Sequence, residues 1–160
     1  TLTGQISGFM AWFLLCFLAA ALGAYASVNA GSFYTALVRP DWAPPPWLFG
    51  PVWTILYILM AIAVGLVWRI DGFMGARLAC SLFILQLGFN ALWSFLFFTW
   101  HQGAWALIDI LVLWLSLLAT IIAFWQISVL AACLMMPYLV WVSIAALLNY
   151  RIWQLNPGAL

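Results

Sequence analysis

The sequence contains no lysine and no glutamate, and only seven of its 160 residues carry a formal charge: Arg39, Asp41, Arg69, Asp71, Arg77, Asp109 and Arg151. A soluble domain is wetted by a surface drawn from about 25% charged residues; the fraction here is 4%. So few charges cannot cover a soluble domain of this length, and lipid must be the solvent for most of the surface. The net charge of +1 leaves no basic face for phosphates, which argues against a nucleic-acid partner. No basic cluster flanks a long apolar run, so recognition of anionic headgroups is not expected. Histidine occurs once, at His101. The Ser/His/Asp and Cys/His sets of nucleophilic catalysis are therefore missing, as are paired carboxylates, a glycine-rich phosphate loop and a metal-ligand cluster. Side-chain acid–base catalysis lacks its residues, and no metal or required cofactor is expected. Cys16, Cys80 and Cys133 each sit inside an apolar run without metal-ligand spacing and read as small packing residues.

What the chain has instead is apolar length. It is 69% hydrophobic, with a mean hydropathy of +1.20. Five stretches reach the roughly 20 apolar residues that a helix needs to cross a bilayer: 9–28, 52–70, 78–100, 104–125 and 129–150. The runs are continuous rather than alternating, which favours helices over a membrane barrel. The expected fold is an all-α integral membrane protein, a single multi-pass domain over 1–160 built as a bundle of five transmembrane helices. The first run has no charged segment ahead of it and no small-residue cleavage site after it, and reads as a retained helix rather than a signal peptide. Connections at Asp71-Gly72, His101-Gln102-Gly103 and Gln126-Ile127-Ser128 are short, which forces sequence neighbours to pack antiparallel. Arg69 and Arg77 on one side balance Arg39 and Arg151 on the other, so basic residues give no orientation.

The first connection, 29–51, is long and aromatic. Residues Arg39 to Pro51 include five prolines in thirteen positions. Proline fixes φ and removes a backbone donor, so a stiff, extended, non-helical segment is expected, suited to a lid because it has little entropy left to lose. Its Trp42, Pro44, Pro45, Trp47 and Phe49 either rest at the membrane interface or roof a pocket. Of the 12 tryptophans, Trp12, Trp100, Trp105, Trp125 and Trp153 lie near span ends, as an interfacial belt requires. Trp93, Trp114 and Trp141 lie deeper and need an acceptor for the indole N–H or a wall to build. Gln86 and Asn90 share one face of the third span, with Trp93 a turn further on. Such groups mark a functional site or bind helices together. Asp109 reads as hydrogen-bonding glue or a cap near a helix start. In the fifth span Pro137 should loosen the ladder, and Trp141, Ala145 and Leu148 form a stripe that is packing or pocket wall.

Taken together, these motifs resemble the translocator protein family, the tryptophan-rich sensory proteins, and its bacterial branch in particular. Arg39-Pro40 through Trp53-Thr54-Ile55-Leu56-Tyr57 is similar to the family's loop and second-helix signature. Gln86 through Trp93, followed by Phe97-Phe98, resembles its third-helix motif; Trp105-Ala106-Leu107-Ile108-Asp109 resembles the opening of its fourth. Pro137-Tyr138-Leu139-Val140-Trp141 and Leu148-Asn149-Tyr150 resemble its fifth. The likeness runs from about Tyr34 to Asn156.

The resemblance implies five helices around a cavity closed by the first loop. It implies binding of tetrapyrroles such as protoporphyrin IX and haem, and of benzodiazepine-type and isoquinoline ligands. The cavity positions it implies are Gly23, Trp53, Tyr57, Asn90, Trp93, Trp105, Asp109, Trp141, Ala145 and Leu148, with Trp53 and Trp141 matching a pair linked to porphyrin photochemistry. It also implies a homodimer through small residues of the third helix, here a loose set of Ala76, Ala79, Cys80 and Gly88; Ala19, Gly23 and Ser27 on the first helix are better spaced. Sterol binding, known in animal members, is not assigned: Arg151 follows Tyr150 without a spacer, and Gln154 stands where a later basic residue would be. The expected function is a membrane receptor or sensor that binds tetrapyrroles and regulates porphyrin levels or a stress response. The alternatives are a light- and oxygen-dependent porphyrin-degrading enzyme and, behind it, a transporter, for which repeats and paired broken helices are missing. A purely structural adaptor would leave the deep tryptophans and Asn90 without a role.

Overall fold

A computed structural model describes residues 2–160, the side chain of Phe73 excepted. Its helices are α1 (Leu2–Ala26), a short α2 (Ala30–Ala36), α3 (Pro46–Gly75), α4 (Arg77–Ser94), α5 (Gly103–Trp125) and α6 (Val129–Leu155). A π-helical turn, Phe95–Thr99, carries α4 to the end of its span. All but α2 are long and apolar enough to cross a membrane, and the chain is an all-α, multi-pass integral membrane protein. The five long helices close a ring: α1 packs on α3, α3 on α6, α6 on α5, α5 on α4, and α4 back on α1. Met60 and Val64 of α3, Phe83 of α4, Leu117 of α5, and Met135 and Tyr138 of α6 fill the centre without exposure. Leucines such as Leu14 and Leu130 point outward to where lipid would lie. Lipid is as apolar as leucine, so dispersion and interhelical hydrogen bonds must hold the ring, not hydrophobic transfer.

Helix ends depart from the hydropathy reading because hydropathy sees only the apolar middle of each rod. The first helix starts at Leu2, which places Trp12 mid-helix. Trp12 is buried, edge-on to Phe83 of α4 at 5.9 Å, and its assignment to an interfacial belt is corrected accordingly. The last helix runs past Arg151 to Leu155, with Pro137 inside it. The expected proline-rich coil shortens, since α3 already begins at Pro46. Proline costs nothing in a first turn, where the N–H has no intrahelical acceptor anyway. One turn on, Pro51 removes a single bond, and the Thr54 hydroxyl donates to the Gly50 carbonyl at 2.8 Å.

Two glycine features fix how α3 meets its neighbours. Gly72 adopts φ 67° and ψ 174°, a region open in practice only to glycine, and the chain turns there into α4. At the same end of the bundle α3 meets α1 through two reciprocal contacts. The Trp68 ring lies over Gly8, and the Phe9 ring lies over Gly65, so closely that a Cβ on either glycine would overlap the ring. A space lies between the opposite halves of these two helices.

Candidate functional site

That space is a cavity of about 490 Å³. Small residues of α1 (Ala20, Gly23 and Ala24) and Ser27 just beyond its end make the room. Trp53 and Tyr57 of α3 form the facing wall, Asn90 and Ser94 of α4 lie behind, and Ala30, Gly31 and Tyr34 of α2 cover one end. Several lining residues (Phe17, Ala21, Ala24, Gly50 and Thr54) are also exposed, so the cavity opens sideways between α1 and α3, toward lipid.

A second, nearly filled chamber of about 10 Å³ adjoins it. Tyr34, Phe49, Trp53 and Phe98 line both spaces and so form the partition between them. Behind the partition stand Trp93, Phe97, Trp141, Ala145, Leu148 and Asn149. The rings interlock edge to face: Tyr34 to Phe49 at 5.3 Å, Phe49 to Trp141 at 5.7 Å, and Trp53 to Trp141 at 6.4 Å. Such aromatic pairs hold their geometry through quadrupole attraction as well as area. Of the ten expected cavity positions, Gly23, Trp53, Tyr57 and Asn90 line the large chamber, while Trp93, Trp141, Ala145 and Leu148 line the small one with Trp53. Trp105 is outward and 63% exposed, and Asp109, though buried, lines neither chamber.

The buried polar groups form two chains. Asn90 Nδ2 donates to Tyr138 Oη at 2.6 Å, Tyr138 Oη donates to Gln86 Oε1 at 2.7 Å, and Gln86 Nε2 reaches Met60 Sδ at 3.9 Å. Gln86 is thus interhelical glue, whereas Asn90 both joins the chain and faces the cavity. In the second chain, Trp93 Nε1 donates to Asn149 Oδ1 at 2.9 Å, and Asn149 Nδ2 donates to the Gly103 carbonyl at 3.1 Å. Trp114 Nε1 donates to Ser143 Oγ at 2.9 Å. Two deep groups have no hydrogen-bond partner among the described residues: Trp141 Nε1 and the carboxylate of Asp109. Asp109 is therefore neither the glue nor the cap expected of it; Gln102 holds the α5 cap position.

Over the mouth, the loop is layered. Tyr34 is buried and its hydroxyl donates to the Pro44 carbonyl at 2.7 Å. Burial pushes its phenol above the ordinary value, while the Arg39 guanidinium, 4.9 Å from the ring centre, pulls the other way. Of the expected lid residues, Phe49 enters the wall, Pro44 anchors Tyr34, and Pro45 caps α3. Trp42 and Trp47 are 50% and 72% exposed, as interfacial anchors would be. On the outer side of α2, His101 adopts φ 53° and stacks on Phe33 with ring centres 4.0 Å apart. Among the described residues no three His, Cys, Asp or Glu side chains are grouped to hold a metal. The small-residue candidates for a dimer face divide: Ala19, Ala76, Ala79 and Cys80 are buried, Gly23 and Ser27 line the cavity, and Gly88 is exposed.

Site residues that sequence reasoning did not single out include Tyr34, Phe98, Tyr138 and Asn149. Asn149 carried a readable signal, an amide within an apolar span, the same sign that marked Gln86 and Asn90. Tyr34 and Phe98 carried none, since their role comes from the folding of α2 and the π turn over the cavity.

Known proteins share this arrangement at the level of sequence. A sequence model described as the TspO/MBR family matches residues 12–154. Protein CrtK of Rhodobacter capsulatus is 38% identical over 154 residues, covering 94% of this chain and 93% of its own length. The tryptophan-rich protein TspO of Chlorobaculum tepidum is 43% identical over 132 residues, covering 80% and 82%. The translocator protein of Homo sapiens is 41% identical over 128 residues, covering 79% and 76%. With that coverage, and with five apolar spans, the chain belongs to the TspO/MBR family of integral membrane proteins.

Proposed function

We propose that this protein is a membrane receptor that takes a flat, hydrophobic ligand of the tetrapyrrole class, protoporphyrin IX or haem, into the cavity between α1, α3 and α4. The observation that carries the reading is the cavity itself: about 490 Å³, within the roughly 300–1,000 Å³ range of small-molecule sites, walled by Trp53 and Tyr57 and open toward lipid. A ligand dissolved in the bilayer reaches it without crossing water. The macrocycle stacks on the Trp53 face, Asn90 offers a polar contact, and the apolar wall of α1 excludes water. The buried N–H of Trp141 lacks an acceptor, and a carbonyl or carboxylate that passed the Phe49–Trp53 partition would supply one. An orphan donor of this kind costs about 1–3 kcal/mol, which a ligand acceptor recovers. Names of relatives such as "tryptophan-rich sensory protein" favour a role in sensing.

The test is to fill the space. Ala24→Trp places a large ring on the α1 wall, and the reading predicts loss of saturable protoporphyrin IX binding with the fold retained by circular dichroism. Unchanged affinity would place the ligand elsewhere. The edge-to-face pair Trp53 and Trp141, 6.4 Å apart, favours one second reading, in which bound porphyrin absorbs light and is itself oxidised by dioxygen, these indoles relaying an electron and being restored by the porphyrin. Bleaching of bound porphyrin under light and air, abolished by Trp53→Phe and absent in the dark, separates it from simple binding.

A further inference from the structure

The lid covers the cavity in two layers. The inner layer is α2 with the first turn of α3, which supply Tyr34 and Phe49 to the wall. The outer layer is a strap, residues 37–44, which runs across the back of Tyr34 and takes its hydroxyl at the Pro44 carbonyl. The strap is stiff, and Leu37 and Ala43 pack it against the core, yet its hydrogen-bonded attachment is sparse. Among the described residues, two hydrogen bonds join it to a spanning helix, and both come from a single side chain at the far end of the sequence. Asn156 Oδ1 accepts from the Val38 N–H at 2.9 Å, and Asn156 Nδ2 donates to the Val38 carbonyl at 2.8 Å. One amide thus pairs with both polar groups of residue 38, as a neighbouring strand would.

The amide is itself held in place. Asn156 is the C-cap of α6; its backbone N–H bonds to the Ile152 carbonyl, and its Nδ2 also donates to that carbonyl at 2.9 Å. The Ile152 carbonyl thus accepts two bonds from one residue, the backbone N–H and the side-chain amide of Asn156. Its orientation is therefore set before the strap arrives. Asparagine suits the task because it carries an acceptor and two donors on a short stem. Aspartate keeps only the acceptor, and alanine keeps neither.

We propose that Asn156 is the clasp of the lid, a positioning residue that ties the Val38 strap to α6, keeps Tyr34 and Phe49 seated over the cavity, and thereby sets how fast a bound ligand leaves. The link to ligand release rests on the receptor reading above; the link to the strap does not.

The experiment has two arms, both on the full chain in lipid nanodiscs. The first, without ligand, follows hydrogen–deuterium exchange of the peptide containing Val38. Loss of these bonds should speed exchange there by about tenfold in Asn156→Ala, less in Asn156→Asp, with exchange inside α4 and α5 and the unfolding temperature unchanged. The second arm measures release of protoporphyrin IX in the dark to excess apomyoglobin, with the rate rising in the same order of variants. Unchanged exchange at Val38 in Asn156→Ala overturns the clasp. Faster exchange with unchanged release overturns the control of release, while the receptor reading stands. If the wild type holds no protoporphyrin IX, the receptor reading fails, and the exchange arm alone decides whether Asn156 ties the strap.

Discussion

Tyr138 is the residue on which the buried polar network turns, because its hydroxyl is both acceptor for Asn90 and donor to Gln86. Tyr138→Phe keeps the ring and strands two buried amides. A buried polar group left without a partner costs about 1–3 kcal/mol, whereas hydrogen bonds between membrane helices average only about 0.6 kcal/mol. The stranded groups should dominate, giving a lower unfolding temperature in detergent and weaker ligand binding through a displaced Asn90. A variant as stable as wild type would mean that Asn90 and Gln86 find other partners. The sequence made half of this pair visible, since two amides four apart in an apolar span ask for an explanation. It could not show the tyrosine between them, which is 48 residues from Asn90 along the chain and carries no polarity anomaly of its own. Asn156 was invisible for a different reason, as its role depends on where a distant loop is folded back.

Among the elements, α1 and α3 decide the shape of the cavity. They are pinned at one end by Trp68 on Gly8 and Phe9 on Gly65, and they enclose the ligand space at the other. A methyl group at Gly65 would gain about 1 kcal/mol of helix propensity, but overpacking costs about 1–3 kcal/mol, and the ring contact has no slack. Gly65→Ala should therefore destabilise, while Gly88→Ala on the open face of α4 should be neutral or better; thermal unfolding of the two side by side is the check. Equal stability would show that α1 moves away freely. Hydropathy located all five spans but set several ends short, because polar residues such as Gln5, Arg151 and Gln154 continue a helix beyond the apolar zone. Proline density argued for coil over 39–51, yet the start of α3 at Pro46 follows from proline's tolerance in a first turn. The short α2 could not be read from periodicity, since 7 residues is two turns.

For the molecule as a whole, scarcity of charge was decisive. Six of the seven charged residues lie in the first loop or near span ends, and Asp109 alone lies well inside a span. That pattern alone makes the membrane fold legible in the sequence. The division of the cavity into two chambers was not legible, because it comes from rings contributed by α2, α3, α4 with its π turn, and α6. The central claim is that a tetrapyrrole occupies the large chamber against Trp53, and the most direct measurement is a titration of the purified protein with protoporphyrin IX in the dark, followed by tryptophan quenching. Trp53→Phe, Trp141→Phe and Asn90→Ala should each weaken a saturable, micromolar or tighter binding curve by about tenfold or more, the loss expected from one stacking or hydrogen-bond contact, while Trp153→Phe leaves it unchanged. Quenching that never saturates, or that ignores all three substitutions, would mean that the porphyrin dissolves in the surrounding detergent and that the cavity belongs to another ligand.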